Sequence, residues 1–489
     1  MSEVPGQAAV AAGDRQTAEC AVAALKVGGN AVDAALAAGF AAAVAEPGLT
    51  SLGGGGFLLV RDGATTTLLD FFVDTPGRGL PLTDLSPHFD PVTVDFSGAL
   101  QLFHAGYGSV AAPGVLGGYL QAHRRFGRIG LDEVVSPAAA LARRGAALSP
   151  SQAAVLGLLR DILALTPDAA ELFLVDGRVP LAGESLRNLD YAHLLDGLGR
   201  GEPSGWTDLP QTAGLLERMR DHDGLLTAQD LRAYTVRDRE PLTVDYRDGR
   251  LTTNPPPSFG GTIVCRALDE LSRTVGERPS ASAQIEALHH ATAAQKNSVT
   301  DAQRPTSTQG TTHISVIDSD GMTASMTTSN GSCSGVLVPG TGVQLNNMMG
   351  ESDLHPYGFH AAEPGTRVAS MMAPSLLDLP DGSVIALGSG GSERIRSALL
   401  QTVVRLVHGD SLDDAVRQPR LHFDGTTSQL EPGVPDAIAA ELEAMGPVHR
   451  WERSSVYFGG VNAVRRHADG RLEAVGDLRR DGAGLVIEV

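Results

Sequence analysis

The sequence predicts an α+β fold built in layers. Helices come first, antiparallel hairpin signals are spread along the chain, and the strand–helix–strand rhythm of a doubly wound sheet is missing. Together these favour packed layers over a Rossmann-type sheet.

Taken in order, residues 17–27 predict a helix stopped by Gly28-Gly29. Residues 31–45 predict a second helix whose small side chains let another element pack close. The run Leu52-Gly53-Gly54-Gly55-Gly56-Phe57 leads into an apolar stretch to Val60, a turn at Asp62-Gly63 and a strand through Leu68 to Phe71, which is a hairpin signal. Helical patterns dominate from about 114 to 233, with a capping-box start at Thr227-Ala228-Gln229-Asp230. Strands return near 241–253, and Pro255 to Gly261 form a rigid turn into a helix ending near 273. A further helix covers 283–296, and the polar, aperiodic stretch 297–310 reads as an exposed linker. Residues 311–317 alternate like a strand, Asp320-Gly321 turns the chain, and 322–329 alternate again. Strands at 368–378, 383–388 and 456–466 and helices at 393–408 and 435–445 complete the chain, with no repeat at solenoid periods.

A chain of 489 residues, 42% hydrophobic, makes two or three ordinary domains or one large layered one with an ample core. Its 38 basic against 57 acidic residues leave a formal charge of −19, which argues against nucleic acid or an anionic membrane as partner. Cys20, Cys265 and Cys333 are too few for a disulfide framework. The start lacks the pattern of a secretory signal, and the Ala-rich stretch 31–45 falls short of a membrane span. The expectation is a cytoplasmic protein.

Four glycines at 53–56 invite a phosphate-loop reading, but Phe57 opens a strand where a P-loop needs Gly-Lys-Ser/Thr opening a helix. No His-Glu-x-x-His or Cys-x-x-Cys spacing points to a metal, and no Gly-x-Ser-x-Gly elbow points to a serine triad. Gly388-Ser389-Gly390-Gly391-Ser392, between a strand and a helix, is either a plain turn or a nest of amides suited to a developing oxyanion. Thr311 stands out by position, between the linker ending in Gly310 and a buried strand. Were the Gly310–Thr311 bond cut, Thr311 would carry an α-amine beside its own hydroxyl. An α-amine titrates near 8, so nucleophile and base would sit on one residue.

At these residues the chain resembles the γ-glutamyltranspeptidase (glutathione hydrolase) family of N-terminal-nucleophile hydrolases. The matching stretches are Gly28 to Ala35, Glu46-Pro47, Leu52 to Phe57, Pro113-Gly114 and Pro255 to Gly261. They continue through Thr311-Thr312-His313-x-Ser315-Val316, Leu345-Asn346-Asn347, Gly390-Gly391 and Phe458-Gly459-Gly460-Val461. They are collinear from about residue 7 to the C-terminus. The resemblance implies a four-layer αββα sandwich made as a precursor that cuts itself before Thr311, giving a large subunit of residues 1–310 and a small one of 311–489. It implies that Thr311 attacks an acyl donor, that Ser329 (with Thr328 as the alternative) and Asn330 support its hydroxyl, and that the amides of Gly390 and Gly391 hold the oxyanion. Water or an amine then resolves the acyl-enzyme. No cofactor or metal is implied, and further oligomerisation is left open.

Departures from the family pattern shape the expected substrate. The family's Thr-x-Thr-x-Asn element is one residue shorter here, at Thr327-Thr328-Ser329-Asn330. Phe72 stands where the family places an Arg for the glutamyl α-carboxylate, Met348 and Glu351 where it reads the α-amine, and Ser370-Met371-Met372 for its Ser-Ser-Met. Each charged hydrogen bond lost costs about 1.5–3 kcal/mol. Phe72, Met348 and Met371 would form an apolar, adaptable pocket. The expectation is retained acyl chemistry with weakened glutamate recognition. One alternative is a specialised-metabolism relative that cleaves a different amide, or a C–C bond next to a carbonyl, in a biosynthetic intermediate. Another is a non-catalytic relative that binds a metabolite.

Overall fold

The computed structural model describes residues 6–81, 88–96, 99–273, 278–297, 310–351, 354–355, 358–359 and 361–489. Two antiparallel sheets lie face to face between helical layers, an α+β four-layer αββα sandwich. The first sheet has seven strands in the order Ala483–Glu488, Gln7–Ala12, Gly310–Ile317, Thr323–Gly331, Gly55–Asp62, Thr65–Phe71, Arg237–Arg239. The second has six, in the order Leu472–Val475, Gly460–Arg466, Val384–Gly390, Ser375–Asp378, Gly249–Thr253, Leu242–Tyr246.

Alternation along the central strand Gly310–Ile317 divides the core. Ile314 and Val316 point to the helices Arg15–Lys26, Ala31–Ala45, Val115–Phe126 and Leu131–Arg144. Ile317 joins the core between the sheets, and Ser315 on the same face donates to the Asn462 carbonyl of the second sheet at 3.1 Å. Helices Phe259–Ser272, Ala281–Asn297 and Arg394–Val407 cover the second sheet from outside. Every residue from Gly310 to Ile317 is buried, so the polar side chains on the strand's inter-sheet face, Thr311, His313 and Ser315, are each hydrogen-bonded.

The helix Ala31–Ala45 has the bounds its sequence predicts. Asn30 and Asp33 close a capping box at its start, and all but one of its residues are buried. The first hairpin, the capping box at Thr227–Asp230 and the helix Phe259–Ser272 also appear as expected.

Several boundaries differ. The strand predicted at 456–466 starts only at Gly460, after a 3₁₀ turn over Val456–Phe458 whose Ser455 cap ends any ladder there. The predicted strand 368–378 reduces to Ser375–Asp378. Ahead of it, the Ser370 and Met372 carbonyls accept from Phe259 N, Ser258 Oγ and Asn254 Nδ2, so no ladder forms. The strand predicted to end at 388 runs on through Gly390, paired with Gly460. Gly310 is the first residue of a strand, paired with Gly331, and not the end of a linker. Positions 298–309 of that expected linker lie outside the described residues.

Candidate active site

Thr311 lies at the end of the central strand, opposite Ser329, with a register shift between Gly310 and Thr311. On the other side, the Gln7–Ala12 strand pairs only from Ala9↔Ile317 to Ala11↔Ser315. Beyond that point the chain turns at Asp14 into a helix, so carbonyls of the central strand need other donors. Asn462 Nδ2 donates to His313 O at 2.8 Å, and Arg480 Nη1 donates to Thr311 O at 3.0 Å.

Ser329 joins the two halves of the Gly310–Thr311 bond. Its Oγ accepts from Thr311 Oγ1 at 3.3 Å, donates to the Gly310 carbonyl, and accepts from Gly331 N at 3.0 Å. Thr328 points to the helical side, where its Oγ1 accepts from Thr50 at 3.0 Å. The period-two alternation of a strand therefore brings Ser329 to Thr311 and sends Thr328 away. Asn330 is not brought to the hydroxyl: its Nδ2 donates to the Leu345 carbonyl at 3.2 Å, bracing the following turn.

The Gly390-Gly391 turn packs directly on Thr311. A Cβ on Gly390 would run into the Thr311 carbonyl, and Gly391 has φ +121, a conformation L side chains rarely adopt. Ser392 follows with φ +51, and the helix Arg394–Val407 begins two residues later. Beneath the turn, His313 fills the space over Gly388 and shares hydrogen bonds with Thr327 Oγ1 at 2.8 Å and Ser315 Oγ at 2.9 Å. Burial pulls the His313 imidazole down to about 3, so it is neutral and structural at pH 7.

A narrow pocket opens on Thr311 and Ser329. Phe72, Met348, Leu354, Met371, Met372 and Ile395 form its apolar wall, and Ser370 and Ser392 add hydroxyls. Among the described residues lining it, none is charged. Four of the five expected substrate-reading residues thus meet the expected nucleophile in one place. Glu351 does not join them, because its Oε1 accepts from Ser332 N at 2.9 Å beside Gly331. Sequence reasoning missed Leu354 and Ile395, which carry no motif of their own, and gave Met372 and Ser392 a place in a motif but no part in the pocket.

Phe72 is held by its backbone. Tyr234 OH donates to Phe72 O at 2.6 Å and Arg367 Nη1 donates to the same carbonyl, while the ring stacks on Phe57 at 5.6 Å between centroids. Arg367 is itself enclosed by Asp74 at 3.3 Å and the Thr235 carbonyl at 2.8 Å, so its charge is spent on the loop and not on the pocket.

Two further buried charges bracket the Thr311-Thr312 pair. Glu46 accepts from Thr312 Oγ1 at 2.6 Å and Thr17 Oγ1 at 2.8 Å, and burial, with Asp14 nearby, pushes its carboxyl up to about 7. Burial and the nearby Arg394 draw the Arg480 guanidinium down to about 10, so it stays charged at neutral pH. The Glu46-Pro47 match was the signal for the first; nothing in the sequence marked Arg480. Among the described residues no group of three or more His, Cys, Asp or Glu could hold a metal ion, and no helix is long and apolar enough to cross a membrane.

The family model described as gamma-glutamyltranspeptidase matches residues 17–309 and 302–487. The chain belongs to the gamma-glutamyltranspeptidase family. It is 32% identical to the acylase ACY 1 proenzyme of Pseudomonas sp. (strain SE83) over 95% of this chain and 90% of that protein. It is 28% identical to the glutathione hydrolase proenzyme of Bacillus subtilis (strain 168) over 95% of this chain and 89% of that protein. The cephalosporin acylase of Bacillus halodurans has the same fold, with TM-score 0.82, 24% identity and coverage of 98% of this chain and 96% of that one. As a member of the gamma-glutamyltranspeptidase family, the protein is an enzyme of the hydrolase and acylase class, and its relatives are made as proenzymes.

Proposed function

We propose that this enzyme is a self-processing threonine hydrolase or acyltransferase that cleaves an amide through an acyl-enzyme, with weakened recognition of glutamate. The reading rests on one observation, the meeting of the Thr311 hydroxyl, Ser329 Oγ and the Gly310 carbonyl, with Thr311 and Ser329 lining a pocket.

In processing, Thr311 Oγ1 adds to the Gly310 carbonyl carbon and the peptide C–N bond breaks, leaving an ester and a free amine on Thr311. Water opens the ester. The products are a large chain ending at Gly310 and a small chain of 489 − 310 = 179 residues. In turnover the Thr311 amine takes the hydroxyl proton as Oγ1 attacks the donor, the amides of Gly390 and Gly391 receive the oxyanion, and the proton passes to the leaving amine. Water or an acceptor amine then releases the acyl group. These steps use no cofactor.

The uncharged pocket lining supports a donor other than a γ-glutamyl group. It also favours a second reading, in which the enzyme hydrolyses a different amide, or a C–C bond next to a carbonyl, in a biosynthetic intermediate. We place the reaction in the cytoplasm, on three buried, unpaired cysteines.

The test is a gel with N-terminal sequencing. The 50.8 kDa chain should appear as bands of about 32 and 19 kDa, with Thr311 first in the smaller, and Thr311→Ala should run as one band. An intact wild-type chain would remove the mechanism and leave a metabolite-binding relative.

A further inference from the structure

Arg480 occupies a site made for it. Its side chain is 8% exposed, in the turn after the Leu472–Val475 strand. It reaches Thr311 past three glycines. An ideal Cβ on Gly460 would lie 2.6 Å from its Cδ, one on Gly390 3.0 Å from Nη1, and one on Gly391 3.4 Å from Nη2. Nη1 ends on Thr311 O at 3.0 Å and Nη2 on Val456 O at 3.2 Å. A guanidinium brought to a carbonyl is brought also to the amine on the same Cα, within about 6 Å by backbone geometry.

We propose that Arg480 is a positioning residue that keeps the α-amine of processed Thr311 in its neutral, proton-accepting form by setting a fixed positive charge against residue 311. The inference rests on the self-cleavage proposed above. A like charge at this distance disfavours the ammonium, and burial adds to the effect. The proton therefore balances easily. The amine accepts it from Oγ1 as the ester forms, and the resulting ammonium, unfavourable beside Arg480, returns it to the leaving amine.

Other charged and titratable groups face this segment from each element around it. Glu46 lies on the helical side, bonded to Thr312 and not to Thr311. His313, on the same face as Thr311, is buried between Thr327 and Ser315. Glu351 lies behind Gly331, bonded to Ser332 N. Arg394, Asp477, Glu46 and Arg420 act electrostatically on Arg480 itself. Arg480 is the charged group bonded to residue 311.

The experiment measures the pH dependence of labelling of the Thr311 α-amine by acetic anhydride, read from the mass of the small chain of wild type, Arg480→Lys and Arg480→Met. An unperturbed amine titrates near 8. The wild-type midpoint should lie about 1–3 pH units lower, Arg480→Lys should stay near it, and Arg480→Met should rise toward 8. A wild-type midpoint at or above 8 overturns the role, as does a midpoint unmoved in Arg480→Met. Should Arg480→Met fail to fold or to be cut, wild type and Arg480→Lys decide, and a lysine variant restored to 8 overturns it. An uncut wild type overturns the proposed function as well, and is told apart by the absence of the small chain.

Discussion

Ser329 stands across the strand from Thr311 and touches both sides of the bond in question, accepting from Thr311 Oγ1 at 3.3 Å and donating to the Gly310 carbonyl. Such a hydroxyl orients the attacking oxygen and polarises the carbonyl it attacks. Replacing Ser329 by Ala leaves that buried carbonyl without its side-chain donor, a loss of about 1–3 kcal/mol. Self-cleavage of Ser329→Ala should therefore slow roughly ten- to a hundredfold, while Thr328→Ser, on the opposite face, stays near wild type. A time course of band conversion after expression measures both, and equal slowing in the two variants contradicts the assignment.

Phe72 is part of the apolar wall of the pocket, at the place where an Arg is expected from the family resemblance. Phe72→Arg would place a guanidinium in its wall, and a charged hydrogen bond to a glutamyl carboxylate is worth about 1.5–3 kcal/mol. kcat/KM for γ-glutamyl-p-nitroanilide should rise tenfold or more relative to an uncharged acyl anilide. An unchanged ratio would show that glutamate recognition does not turn on this position.

Gly388 is needed for the stack of the second sheet on His313, since its Cβ would enter the imidazole ring. With His313 held by Thr327 and Ser315, the ring has nowhere to retreat. Gly388→Ala should cost about 1–3 kcal/mol as overpacking, seen as a lowered Tm. A Tm equal to wild type refutes this account of the sheet-to-sheet contact.

Glu46 makes stability depend on pH in a predictable direction. Burial raises its carboxyl to about 7 in the folded enzyme, against an ordinary 4.5. Between those values the unfolded chain has released the proton and the folded one has not, so the unfolded state gains. Stability from this group is complete below about pH 4.5 and declines as pH rises through 7. Glu46→Gln, neutral throughout, should lose less stability over that window, by an amount on the order of 3 kcal/mol at most. Denaturant titrations of both proteins at pH 4.5 and 8 measure the difference, and parallel curves contradict it.

Much of the site could be read from residues near one another along the chain. Thr311 was marked by a polar stretch giving way to a strand, and Gly390-Gly391 by a glycine-rich turn before a helix. The choice between Ser329 and Thr328 could not be read, because a shortened motif leaves register open and only pairing with the central strand sets which hydroxyl faces inward. Glu351 and Asn330 were drawn to the site by their place in a motif. Folding gives each a backbone partner, Ser332 N for one and Leu345 O for the other. The false strand at 368–374 is mostly apolar, but its Ser370 and Met372 carbonyls are taken by the turn at 254–259.

The amino-acid order by itself determined the class of fold and the apolar character of the pocket and pointed to Thr311 as the proposed nucleophile, because each is written in local periodicity or in the kind of side chain at a marked position. Which hydroxyl serves the nucleophile, which four side chains complete the pocket wall, and the bracketing of Thr311-Thr312 by Glu46 and Arg480 were decided only in three dimensions. The first depends on strand pairing, the last joins segments 266 and 169 residues apart, and burial, which gives the two charges their weight, exists only once the layers have closed.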